Sequence, residues 1–259
     1  MIDLPAFSTF LATLESERFL LAVGVALLAG IVRGFSGFGS ALIYVPLVSA
    51  LYEPKIATVS CALMDYICVL PYALRAFRHA NWREVLPAFA AALLTVPLGT
   101  HVQSAVDPTV LRWGMSIFVL GFVVLLASGW RYPFKPNTPA AMGAGALSGF
   151  AGGATQMGGP PIILYWLGAP ESATVIRANL LAFLMLLGIT LIINYALRGL
   201  MIAQPIALGV LLWPAYIVAL AIGAYWFKGA STSQYRRVAY VIVALAALVS
   251  LPVIDKILP

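Results

Sequence analysis

Two short stretches of this sequence gather small residues, hydroxyls and an amide without a single charge: Gly34-Phe35-Ser36-Gly37-Phe38-Gly39-Ser40 and Gly152-Gly153-Ala154-Thr155-Gln156-Met157-Gly158-Gly159-Pro160-Pro161. Their chemistry is that of an oxyanion cradle. Glycines let a compact ligand approach backbone N–H groups, and Ser36, Ser40, Thr155 and Gln156 add side-chain donors. Pro160 and Pro161 suit the first turn of a new helix, where a missing N–H costs little. A helix starting there aims free N–H groups and the positive end of its dipole at an anion. Gly34, Gly37, Gly39, Gly153, Gly158 and Gly159 are therefore candidate ligand-binding positions beside the four polar residues. The competing reading is that the glycines serve only close helix packing, for which small residues are common at membrane helix interfaces.

Four more residues join the candidates. Arg33 precedes the first cluster with apolar residues on both sides, and a charge inside a membrane is expensive enough to point to function. It is a candidate counter-charge for an anion; the alternatives are snorkelling or an ion pair with Asp65. In the second cluster the equivalent position is Gly152. Asp65 lies within the apolar run TVSCALMDYICVL, suiting either that ion pair or a proton-coupling carboxylate. Arg177 and Asn179, near the start of a later apolar run, are weaker ligand candidates, Arg177 reading equally well as a loop-end topology charge.

Other chemistries fit less well. Gly34-Phe35-Ser36-Gly37 matches the GxSG pattern of rhomboid intramembrane proteases, which makes Ser36 a remote candidate nucleophile. Such a serine needs a base within hydrogen-bond reach, and the chain offers only His79, in a basic loop, and His101, at an expected helix end. No His, Cys or carboxylate cluster has metal-ligand spacing and no GxxxxGK[ST] loop is present, so neither a metal, a cofactor nor ATP-driven pumping is expected.

The elements that must position these residues are membrane helices. Of 259 residues 62% are hydrophobic and 9% charged, against about a quarter charged in soluble domains. Charge-free runs cover 34–52, 114–130, 136–170, 199–227 and 238–254, several reaching the roughly 18–20 apolar residues that cross a bilayer. The net charge of +6 does not suggest nucleic acid, because the basic residues are scattered through short loops. The first residues, with Asp3, Glu15 and Glu17, lack the basic start of a secretory signal, so the first apolar run is expected to stay in the mature protein. Cys61 and Cys68 sit seven apart on one expected helix, about 10 Å along its axis and too far to pair with each other.

The sequence also repeats itself. A shift of 119 lays AGIVRGFSGFGSALIYVPLVSA over SGFAGGATQMGGPPIILYWLGA and matches Gly30 with Gly149, Gly34 with Gly153 and Gly39 with Gly158; further on, a shift of 124 matches Gly99 with Gly223 and Arg112 with Arg236. We expect an all-α polytopic membrane protein of two repeats, 19–132 and 139–259, with an N-terminal segment 1–18 and a linker 133–138, all in one transmembrane domain. Each repeat reads as a glycine-broken segment and three full helices, about 56–77, 84–104 and 110–130, then 175–197, 204–227 and 236–254. The uncharged run from Phe19 to Val32 would be about 21 Å as helix, too short to cross alone. Each broken segment therefore either joins its neighbour in a single crossing, giving parallel repeats, or enters and returns as a hairpin, giving inverted repeats. The inverted arrangement puts nine Lys/Arg inside and five outside, the parallel one eight and six. It also keeps Lys228, Arg236 and Arg237 inside, which favours inverted repeats with the N-terminus outside. In such a carrier the two broken helices meet near the midplane with the ligand between them, and the backbone through both clusters is expected to be non-helical.

At these glycine-rich repeats the chain closely resembles the sulfite exporter TauE/SafE family, also called the 4-toluene sulfonate uptake permeases. The resemblance rests on GIVRGFSGFGSALIYVPLV, RAFRHANW, PLGTHV and GALSGFAGGATQMGGPPIILYWL and covers about residues 20–250. It implies a permease that moves sulfite, sulfonates, thiosulfate or related small anions across the cytoplasmic (inner) membrane, with another small organic anion as the alternative cargo. It carries no residue-level signature, so the site rests on the residues above.

Overall fold

The structure is a computed structural model that describes residues 3–36, 39–129, 137–167 and 171–226. These form ten α-helices and no strand: α1 (Phe7–Leu14), α2 (Glu17–Ser36), α3 (Ser40–Leu51), α4 (Pro54–Ala76), α5 (Trp82–Ala105), α6 (Pro108–Ala127), α7 (Thr138–Thr155), α8 (Gly159–Leu167), α9 (Ala173–Leu197) and α10 (Ala203–Trp226). Four are long and apolar enough to cross a membrane, over Trp82–Ala105, Pro108–Leu125, Thr174–Leu197 and Ala203–Tyr225.

Local chemistry fixes the boundaries. Asn137 caps α7, its Oδ1 accepting from Ala140 N–H at 2.9 Å with a proline in the first turn, and Ser172 Oγ accepts from Val175 N–H at 3.4 Å to start α9. Such caps replace partners that the first N–H groups of a helix lack. The full helices fall where hydropathy places them, within a few residues at each end; the run 236–254 lies outside the described residues. Two expectations need correction. The uncharged run 19–32 underestimates α2, which is 20 residues long and includes Glu17 and Arg33, about 30 Å of helix. Arg33 is buried inside the protein, so its charge does not end the helix. The helices also reach further into the glycine clusters than expected: Gly34, Gly152 and Gly153 are helical, α2 runs to Ser36 and α3 starts at Ser40, and the second break is confined to 156–158. The short helix α1 has no counterpart in the sequence reading.

The chain falls into two compact units, each built from both halves of the sequence. The described part of the first comprises residues 3–36, 39–64, 106–128 and 199–226, that of the second 65–105, 129, 137–167 and 171–198, with α4 divided between them.

In the first unit α2 packs on α10 through glycines. A Cβ on Gly30 would meet Ala219 Cβ at 2.8 Å and the Tyr216 carbonyl at 2.9 Å, one on Gly34 would strike the Leu220 carbonyl, and one on Gly223 the Ile31 carbonyl. The partner numbers rise together, so α2 and α10 run parallel. Within the same unit Tyr44 of α3 hydrogen-bonds Ser60 of α4 at 2.9 Å.

In the second unit α7 packs on α5 in the same way. Gly145, Gly149 and Gly153 lie on the carbonyls of Ala88, Ala92 and Val96, and Gly99 on that of Phe150. Thr95 Oγ1 donates across the pair to the Ala146 carbonyl at 2.7 Å. The shifts that align the two halves carry Gly30, Ile31 and Gly34 onto Gly149, Phe150 and Gly153, and Ala92, Val96 and Gly99 onto Tyr216, Leu220 and Gly223. Equivalent residues thus make equivalent contacts, each time between a helix from the first half and one from the second. Helix α9 runs parallel to α5, since Asn81 binds Asn179 at one end and Arg198 reaches the Pro97 carbonyl at the other. It runs antiparallel to the Asp65–Ala76 part of α4: Tyr66 lies on Gly188, and Val69 clusters with Met185.

Substituting Gly149 by Leu should lower stability by about 1–3 kcal/mol or more, because the side chain must push two backbones apart. Gly24→Ala, where an added Cβ meets nothing within 4 Å, should change little. Thermal unfolding of both variants in detergent checks the pair.

Candidate functional site

The candidate residues divide between the two units. In the first, Arg33 is buried in the last turn of α2, Gly34 serves the contact with α10, and Ser36 ends the helix. Gly37 and the Ser36 side chain lie outside the described residues. Gly39 has φ 93°, a left-handed conformation that favours glycine, and it hands the chain to Ser40, the buried first residue of α3.

In the second unit the break is built around Gln156. It has φ 65°, and its backbone N–H returns to the Gly152 carbonyl at 2.8 Å, closing α7. Its side-chain amide is buried and held at both ends: Nε2 donates to the Tyr66 hydroxyl and Oε1 accepts from the Tyr195 hydroxyl, each at 3.2 Å. Tyr66 fits there because Gly188 presents no side chain to its ring. Thr155 turns its hydroxyl onto its own helix, donating to the Ala151 carbonyl at 2.8 Å, and accepts the Met157 N–H at 3.4 Å. Both polar side chains of this cluster therefore support the break itself.

Helix α8 begins at Gly159 with Pro160 and Pro161 in its first turn. The two prolines have no N–H to satisfy at this helix start, and Ser148 Oγ accepts the N–H of Ile162 at 3.1 Å. Gly158 lies against the Ser148 carbonyl and Leu187, near the middle of α9. Gly153 is committed to the α5 contact.

Asn179 and Arg177 do not join this group. Asn179 precedes Leu187 by eight residues, about 12 Å along α9. It is fully buried, its Oδ1 accepting the Asn81 N–H at 2.7 Å while Nδ2 has no hydrogen-bond partner. Arg177 is exposed. Asp65 is buried in α4, one residue before Tyr66. His101 faces Arg198, with Nδ1 and Nη1 3.3 Å apart. Cys61 and Cys68 are free thiols, and no group of three His, Cys, Asp or Glu suited to a metal occurs among the described residues. Ser148, Tyr66 and Tyr195 were not singled out from the sequence; their roles depend on which helices meet, which no local spacing encodes.

Four helices long and apolar enough to cross a membrane, with Arg33 and Asp65 buried among the helices, are the frame of a multi-pass membrane protein. The family model for sulfite exporter TauE/SafE matches residues 22–250, and the chain belongs to that family of membrane transporters. No curated protein and no solved structure matches the chain.

Gln156→Gly keeps the left-handed backbone free of strain and removes both side-chain hydrogen bonds. It should cost about 1–3 kcal/mol, and Tyr195→Phe should cost less than Gln156→Gly, both read by thermal or chemical unfolding.

Proposed function

We propose that the protein is a secondary transporter of small anions, sulfite or a sulfonate or related organosulfur anion, across the cytoplasmic membrane, with the residues at the helix breaks as its ligand positions. The observation that carries this reading is the coincidence of the breaks. Helices α2 and α7 end at Ser36 and Thr155, and α3 and α8 begin at Ser40 and Gly159; both pairs are 119 residues apart, the shift that aligns the glycines. A duplicated, interrupted helix is the plan by which carriers build a midmembrane site. Family membership supports the class of cargo.

Arg33 supplies the counter-charge, the Gly39–Ser40 and Gly158–Gly159 backbones the short approach, and Asp65 the proton-coupling carboxylate. Gln156 and Thr155 hold the second break in shape. A different small organic anion is the second reading for the cargo, since nothing in the cluster distinguishes a sulfur centre from a carboxylate.

Inverted repeats fit this reading. Helices α4 and α9 occupy corresponding places in the two halves, and their antiparallel course is what inversion requires of equivalents. The Ile162 to Ser148 hydrogen bond supports a hairpin, because 14 residues of straight helix would hold the two about 21 Å apart. A hairpin reading places Ser8 and Asn137 on opposite faces of the membrane; a single crossing by each broken segment places them on the same face. Labelling Ser8→Cys and Asn137→Cys with a membrane-impermeant thiol reagent from one side distinguishes the two.

The transport test is reconstitution into liposomes with sulfite, sulfoacetate, thiosulfate and a carboxylate, with and without a proton gradient. Saturable uptake of a sulfur oxyanion is expected, with Arg33→Ala reducing it by at least about tenfold, the equivalent of 1.4 kcal/mol. Uptake of the carboxylate alone would move the assignment to the second reading. Normal transport by both Arg33→Ala and Gln156→Ala would remove the proposed site.

A further inference from the structure

The helix α1 precedes the region matched by the family and is not explained by transport. Its surroundings define where it lies. The N–H of Asp3 donates to the carbonyl of Met201 at 3.0 Å, two residues before α10 begins. At its other end only Glu15 and Ser16 separate α1 from α2. Because α2 and α10 run parallel, with Gly30 beside Tyr216 and Gly34 beside Leu220, their first residues lie at one level. α1 therefore bridges the starts of two parallel apolar helices and lies across their ends, in the plane of the membrane surface.

The residues around its circumference fall into three sectors. Thr9, Phe10 and Thr13 are partly or fully buried, and Thr13 Oγ1 is satisfied by the Thr9 carbonyl at 2.7 Å. Ser8, Ala12 and Glu15 form a small and polar exposed sector. Between these lie Phe7, Leu11 and Leu14, with exposures of 77, 43 and 46%, spaced four and three apart so that they share one face. A helix with one side on protein, one side polar and one side bare and apolar matches a site at the boundary between headgroups and acyl chains.

We infer that α1 is an interfacial helix that buries Phe7, Leu11 and Leu14 in the acyl-chain boundary of the lipid bilayer. The stripe is continuous with the apolar surface of the spans it bridges, where Leu20 and Leu21 of α2 and Ile202 before α10 are exposed. The charges near it, Asp3, Glu15 and Glu17 against Arg18, do not attract anionic headgroups, so the surface it fits is zwitterionic phospholipid.

The test uses the full chain in phosphatidylcholine vesicles, in a Cys61→Ala/Cys68→Ala background, with single cysteines spin-labelled at Phe7, Leu11, Leu14, Ser8 and Ala12. Oxygen should relax the labels at Phe7, Leu11 and Leu14 more than a water-soluble nickel complex does, and the order should reverse at Ser8 and Ala12. Greater relaxation by nickel at all five would overturn the proposal, as would spin–spin coupling at Phe7 and Leu11 showing that a second copy covers the stripe. Phe7→Trp with the native cysteines gives an independent readout: its added fluorescence, after subtraction of the unsubstituted protein, should be quenched by phosphatidylcholine brominated on the acyl chain. Absence of that quenching would likewise overturn the proposal.

Discussion

Inside a bilayer no water is available to take up a backbone N–H or carbonyl, so a helix can break there only where the protein itself replaces the lost partners. The second break meets this demand with few residues. The Gln156 N–H closes α7, Thr155 takes the Met157 N–H, and Ser148 takes the Ile162 N–H from the facing helix. Prolines at 160 and 161 remove two donors that would otherwise need acceptors. The polar residues of this cluster are thus committed to making the break possible.

The same constraint explains the glycines that flank the breaks. A helix that ends in such a break is held by a neighbour at close range, and α5 supplies it for α7 by lying on Gly145, Gly149 and Gly153. Its counterpart is α10 on Gly30 and Gly34. In membranes van der Waals contact of this kind is a main source of helix association, because apolar burial gives no advantage over lipid. Each half contributes a partner to the other's broken helix, so neither half completes its own helix pair. Duplication here is a property of contacts as well as of sequence, and it makes the two halves interdependent.

How much of this was legible follows from the range of each interaction. Hydropathy sums over a helix, so α4, α5, α6, α9 and α10 were readable to within a few residues. The glycine register was readable because the repeat reports it twice. Arg33 misled, because a charge in a linear sequence marks a boundary unless something buries it, and what buries it comes from elsewhere in the fold. Gly152 and Gly153 misled in the opposite sense, their clustering suggesting irregular backbone where the helix continues. Tyr66 and Tyr195 were invisible, since their partner Gln156 is 90 and 39 residues away. The amide of Gln156, read from the sequence as a ligand donor, binds one tyrosine hydroxyl through its nitrogen and another through its oxygen.

The two breaks fall at equivalent positions and differ in charge. Arg33 occupies the place that Gly152 takes in the second half, where an added Cβ would already lie 3.4 Å from Leu187 and 3.5 Å from Leu191. An arginine at 152 would have to displace that apolar packing, at a cost added to the roughly 2.5–3.5 kcal/mol that a central charge costs on insertion. Arg33 bears that burden in the first half alone. The asymmetry introduced by Arg33 is therefore the feature of the two clusters that duplication alone does not explain.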